Sequence, residues 1–333
     1  MLRVFTREND HLCPNDLEVT RERQPAMPGG MAPWIDLLNP TADEDKYVEN
    51  VTGVSIPTRE EMQEIEVSSR LYSEDGAEFM TMSAVTNLDT DKPLLTPITF
   101  VLKGATLVTV RYMEPKPFSI FIIRAQRAGA VACANGEQVM MSLLEALIDR
   151  VADALERVGM KIDGLSQEVF HSANPQAAGR TKDFQRVITD IGREGELLSM
   201  IRESLLSMNR VLTYHVAVTD DDKKAAKDAR ARVRTVQRDV ASLTEHTAYL
   251  ATKVNFLLDA TLGMINLEQN QIIKIFSIAA VCLMPPTLVA SIYGMNFKNL
   301  PELQWDFGYP MAIALMIITA LAPFYYFRRK GWL

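Results

Sequence analysis

Two apolar runs near the carboxyl end constrain this chain more than any other feature. Ile275 to Phe297 is 23 consecutive residues without a charge, and Phe307 to Phe327 is 21. At 1.5 Å per helical residue, each reaches roughly 30 Å, the thickness of a bilayer's hydrocarbon core. Two such runs only nine residues apart rarely occur inside a soluble domain, so both are read as transmembrane helices. Composition alone hides this, since 47% hydrophobic and 23% charged residues are ordinary for a 333-residue chain.

Charge asymmetry then sets the orientation. Arg328, Arg329 and Lys330 follow the second run and Lys274 opens the first, whereas the segment between them sets Lys298 against Glu302 and Asp306. Basic flanks stay in the cytoplasm, so both termini are expected inside with one short loop outside. Trp305, Tyr309, Tyr325, Tyr326 and Trp332 stand where aromatic belts are expected. The opening MLRVFTRENDHL lacks a signal peptide's apolar stretch, which fits a cytoplasmic amino terminus. The net charge of -7 argues against a nucleic-acid partner, and Cys13, Cys133 and Cys282 have neither disulfide nor zinc spacing.

Upstream of the first run the chain reads as one very long helix. Between Asp222 and Ile292 the only helix breakers are Gly263, Pro285 and Pro286, and a membrane span accommodates a proline kink. Val233, Val236, Val240, Leu243, Thr247, Leu250, Val254 and Leu257 recur at steps of three and four, the mark of a packed seam. Either this is an amphipathic helix folded into one protomer, or a stalk whose seam needs partner helices. An uninterrupted rod of this length favours the second, an oligomer. Asp220, Asp221 and Asp222 precede it, as acids suit a helix start, or else they couple electrostatically to basic groups near a pore exit.

Along the first span, Asn270, Ile273, Ser277, Ala280, Met284, Thr287, Ser291 and Gly294 form one stripe of mostly small or weakly polar residues. Such a stripe serves close helix packing or lines a water-filled pore. Asn270 and Asn296 at its two ends, each a neutral oxygen donor, tilt the reading toward a pore.

The run YGMNF at Tyr293 to Phe297, LPEL at Leu300 to Leu303, Trp305, GYP at Gly308 to Pro310 and the ending FRRKGWL resemble the CorA family of bacterial magnesium transporters. PPT at Pro285 to Thr287 lies inside the span that this motif closes. The resemblance is close from Lys253 onward and looser around WIDL at Trp34 to Leu37 and REEMQEIE at Arg59 to Glu66. It implies a funnel-shaped homopentamer whose first spans line a central pore, with Gly294, Met295 and Asn296 as the outer ion-binding ring. The implied cargo is Mg2+, often also Co2+ or Ni2+, and the implied regulation is closure by cytoplasmic Mg2+ bound between subunits. The LPEL loop favours magnesium over the zinc-transporting branch. Mg2+ holds its waters in near-octahedral geometry and dehydrates reluctantly, so an amide ring contacting first-shell waters suits it better than carboxylates that release it slowly. Glu302 and Asp306, offset by Lys298, leave a charge of -1 on each loop to concentrate cations; as a bland alternative, Glu302 is a solvated loop acid.

The amino-terminal half reads as α/β. Strands are expected at Glu78 to Val85, Ile98 to Leu102 and Ala105 to Arg111, the last two joined through Lys103 and Gly104. Capping boxes at Thr41 with Glu44 and Thr58 with Glu61 start helices, and two further helices between Ser142 and Met208 are expected beside the stalk. His11, His171, His215 and His246 lack metalloprotease spacing and read as surface or packing residues; no phosphate loop is present.

The expected fold is therefore an α+β cytoplasmic domain, a mixed sheet with flanking helices, plus a very long stalk helix and two transmembrane helices. Its parts are 1–135, a cytoplasmic α/β domain; 136–220, cytoplasmic helices; 221–271, the stalk; 272–293, the pore-lining span; 294–308, the external loop; 309–327, the second span; and 328–333, a basic tail. The chain is placed in the cytoplasmic membrane among lipids. A membrane-anchored enzyme lacks a catalytic motif in residues 1–210, and a non-conducting oligomer gives the polar stripe no purpose. The orientation predicts that, in a background without the three native cysteines, Asn299→Cys reacts with impermeant thiol reagents outside intact cells and Arg7→Cys does not. Reversed labelling contradicts it.

Overall fold

The computed structural model describes the whole chain except Asn9, 30–31, Asp91, Ala128, 130–132, 172–183, 219–224, 297–304 and Leu333. It divides into two compact units, Met1–Leu257 and Leu258–Leu333.

The first unit is α+β. Seven strands form one mixed sheet: β1 (Leu2–Glu8), β2 (His11–Leu17), β3 (Trp34–Leu38), β4 (Leu71–Glu74), β5 (Ala77–Thr86), β6 (Leu94–Lys103) and β7 (Thr106–Arg111), ordered β2-β1-β3-β7-β6-β5-β4. Only β3 with β7 is parallel, with Asp36 opposite Thr109. The β6–β7 turn is Gly104 and Ala105, not Lys103 and Gly104: Lys103 pairs with Thr106, and Gly104 takes the left-handed conformation, φ 58°, that a tight turn asks of glycine. β6 also begins four residues before the expected Ile98. Its Pro97 faces only β5, since β7 ends at Arg111 opposite Ile98. A proline is tolerated where one side has no ladder to complete.

Alternation along the strands makes two buried faces. Leu2, Val4, Ile35, Leu37, Val108 and Val110 pack against Tyr47 and Val48 of α1 (Ala42–Thr52) and Met62 of α2 (Arg59–Met62). Both capping boxes read from the sequence are formed, Thr41 with Glu44 and Thr58 with Glu61. α3 (Val67–Arg70) leads into β4. On the opposite face, Trp34 stacks on Phe5 at 4.1 Å and meets Phe118 and Phe121 of α4 (Lys116–Ala125). There Arg111 and Asp36, both almost fully buried, form a two-pronged pair at 2.7 and 3.0 Å. Thr109 donates to Asp36 at 2.7 Å, and Trp34 Nε1 donates to Thr109 at 2.9 Å. Each buried polar atom of this group thus has a partner, the condition under which burying charge is tolerated.

Three long helices complete the unit: α5 (Gly136–His171), α6 (Phe184–Val218) and the first part of α7 (Ala225–Tyr293). α5 starts hard against β7. A Cβ on Gly136 would lie 2.4 Å from the Leu107 nitrogen, so only glycine fits. The seam on α7 is where the sequence reading must be corrected. Val233, Val236, Val240, Thr247, Leu250, Val254 and Leu257 are buried within this one chain, with Leu243 half-buried. α5 and α6 cover them: Arg232 bonds Glu145 twice at 2.7 Å, Lys253 pairs with Asp163, and Val254 abuts Gly195. The three-four spacing therefore reports intramolecular packing and is no argument for an oligomer. The Asp220 to Asp222 cluster lies outside the described residues.

His215 is a packing residue, but a charged one. Its buried ring lies 3.1 Å from Glu78 of β5 and 3.2 Å from Glu137 of α5. Burial disfavours the imidazolium, yet hydrogen bonds to Glu137 and Glu78 outweigh it and raise the pKa to about 9. The folded value exceeds the unfolded one of about 6.5, so this stabilisation is complete below pH 6.5 and lost as pH rises through 9. Stability should fall by about 3 kcal/mol over that window. In His215→Gln protein the fall should be less than half as large, as read from unfolding midpoints by circular dichroism.

Candidate functional site

The second unit contains the rest of α7 and α8 (Gly308–Arg329). Both helices are long and apolar enough to cross a membrane. They run antiparallel: Lys274 Nζ sits 5.3 Å over the Trp332 ring at one end, while Tyr293 and Gly294 adjoin Gly308 and Ala312 at the other. Gly308 and Ala312, four residues apart on one face of α8, are its buried residues. That small-residue pair was readable in the sequence, because a small residue at every fourth position marks a helix contact.

α8 covers one flank of α7 and not the polar stripe. Lys274, Ile278, Cys282, Pro285, Val289 and Tyr293 are buried or half-buried along that flank. Asn270, Ile273, Ser277, Ala280, Met284, Thr287, Ser291 and Gly294 are all exposed. Apart from Gly294 at its end, the stripe is thus not used to pack α7 on its own α8.

Its oxygens are arranged to accept. Ser291 Oγ donates to the Thr287 carbonyl at 2.8 Å, and Thr287 Oγ1 donates to the Leu283 carbonyl. Each hydroxyl proton is spent on the helix backbone, which leaves lone pairs facing outward. Pro285 and Pro286 sit inside the helix and carry no N–H, so the Val281 and Cys282 carbonyls lose their usual amide donors. A bare cation or the waters around one would be met by acceptors, and a bare anion would not.

The helix stops at Tyr293. Gly294 N–H still reaches the Ala290 carbonyl at 2.9 Å and Met295 N–H the Ile292 carbonyl at 3.3 Å, after which Met295 and Asn296 leave the helix, both exposed. A Cβ at residue 294 would lie 3.0 Å from the Ala290 oxygen, which favours glycine there. The structure therefore places Asn296 just beyond the end of the exposed stripe. Asp306 is exposed immediately before α8, and Glu302 lies outside the described residues. Nearer the other end of α7, Asn270 is exposed two turns before Ser277.

Comparison with known proteins converges on one family. Residues 31–329 match the family model described as CorA-like Mg2+ transporter protein. The magnesium transport protein CorA of Escherichia coli (strain K12) is 34% identical over 333 residues, and that of Pasteurella multocida (strain Pm70) 32% over 333, each covering both chains in full. Among solved structures, the complete CorA magnesium transporter of Methanocaldococcus jannaschii superposes with a TM-score of 0.77, at 19% identity, over 100% of this chain and 99% of that one.

Proposed function

Because this chain belongs to the family of CorA-like Mg2+ transporters, we propose that it carries Mg2+ across the cytoplasmic membrane through a pore walled by the polar stripe of α7. The family is one of channels and transporters, not of enzymes. The observation that carries the proposal is the exposure of Ser277, Thr287 and Ser291 along a helix apolar enough to span a bilayer, ending at Asn296. Hydroxyls facing hydrocarbon gain nothing, whereas hydroxyls facing water solvate an ion path.

One helix supplies one wall. A closed path needs several copies of α7 around an axis, five by likeness to the family. In that arrangement Gly294, Met295 and Asn296 form the outer ring. Mg2+ keeps its tightly held waters, and those waters donate hydrogen bonds, so the complementary wall is one of neutral acceptors. Asn296 supplies the amide oxygens of the ring, and outer-sphere contact of this kind recognises the hydrated ion yet releases it quickly enough for conduction. Glu302 and Asp306 make the mouth negative and raise the local cation concentration. Co2+ and Ni2+, which also take six oxygen ligands, pass by the same route.

The first unit, Met1–Leu257, is assigned to the cytoplasm with both termini, and acidic groups between the cytoplasmic domains of neighbouring subunits sense internal Mg2+. Carboxylates repelling one another across subunit boundaries favour an open arrangement until Mg2+ bridges them, closing the pore as cytoplasmic Mg2+ rises.

Substitutions at Asn296 test the reading. Asn296→Ala protein that elutes at wild-type size should lose at least 90% of Mg2+ uptake in proteoliposomes, an order-of-magnitude effect. Asn296→Asp should bind Mg2+ more tightly, release it more slowly and acquire a dependence on external pH, since crowded carboxylates raise one another's pKa. Near wild-type uptake by Asn296→Ala would reduce the glycine-led turn to a helix stop.

A further inference from the structure

Beside Gly294, the last residue of the polar stripe, lies a cleft of about 400 Å3 between α7 and α8. Tyr293, Trp305 and Tyr309 line it, Gly294 and Gly308 contribute to its wall without side chains, and Asp306 is the one charged residue among the described residues that line it. We propose that this cleft binds an alkyl-substituted ammonium ion, with the rings around the cation and the Asp306 carboxylate at its edge.

The chemistry differs from that of the α7 stripe. Aromatic faces carry negative electrostatic potential and attract cations whose hydration is weak, which makes ring-lined cavities with a nearby carboxylate suited to quaternary ammonium groups. Mg2+ does not shed its water for such a surface. The volume falls within the range of small-molecule pockets. Interfacial anchoring explains exposed Trp and Tyr rings in general, but anchoring requires neither a hollow between the helices nor a carboxylate beside the rings. The inference does not depend on the route of Mg2+.

The cation arrives free in solution or as the choline headgroup of a phospholipid, and both present the same trimethylammonium chemistry. The test uses full-length protein in maltoside detergent, titrated with tetraethylammonium chloride against sodium chloride at equal ionic strength, with tryptophan fluorescence as the readout. The expected result is a saturable change. Its midpoint should rise at least about fivefold in Tyr309→Leu and in Asp306→Asn, and be restored by Tyr309→Phe. Asn296→Ala should leave it unmoved. Competition by short-chain phosphatidylcholine but not phosphatidylglycerol identifies the lipid headgroup as the occupant, and competition by neither identifies a soluble cation. The proposal is overturned if wild-type protein eluting at its normal size gives no saturable change. It is equally overturned if Tyr309→Leu and Asp306→Asn proteins of normal size retain the wild-type midpoint.

Discussion

Hydrocarbon offers no hydrogen-bond partner, so any polar group carried into it must be satisfied within the protein or must line a water-filled space. α7 enters this regime carrying Ser277, Thr287 and Ser291 on one side and two prolines in its interior. The Thr287 and Ser291 hydroxyls spend their protons on backbone carbonyls and keep their lone pairs outward. What remains exposed is a line of acceptors with no partner in the helix itself. The proposed pore follows from this leftover valence together with family membership, and the neutral character of the acceptors suits a cation that travels with its water.

The same helix serves two units under opposite rules. Up to Leu257, water drives its apolar seam inward, and α5 and α6 bury it beneath ion pairs such as Arg232 with Glu145. Beyond Leu257 its large apolar residues, among them Ile275, Phe276, Leu283 and Leu288, are exposed, as lipid permits. One continuous element of 69 residues thus belongs to both units.

Much of this was legible in the sequence because it rests on local or periodic signals. Both spans, the stripe, the capping boxes at Thr41 and Thr58, and the β5, β6 and β7 strands depend on residues near one another in the chain. The misreading of the α7 seam has a clear cause: periodicity identifies a buried face but not what buries it, and α5 and α6 lie far away in sequence. β2 was invisible because Pro14, Asn15 and Asp16 have little strand propensity, and it pairs only as an edge beside β1. His215 was read as a surface or packing residue and is buried, yet Glu78 and Glu137, which hold its charge, come from positions 137 and 78 residues away. The Asp36 and Arg111 pair escaped for the same reason, since a β3 to β7 crossover brings them together.

The account stands or falls on which face of α7 meets the ion. Single cysteines placed in turn along residues 276 to 291, in a chain without Cys13, Cys133 and Cys282, can be exposed to a small hydrophilic thiol reagent while Mg2+ uptake into proteoliposomes is recorded. The account predicts inhibition at Ser277, Ala280, Met284, Thr287 and Ser291, slowed by saturating Mg2+, and silence at Ile278, Leu283 and Val289. Inhibition centred on Ile278, Pro285 and Val289, or spread evenly around the helix, would contradict it.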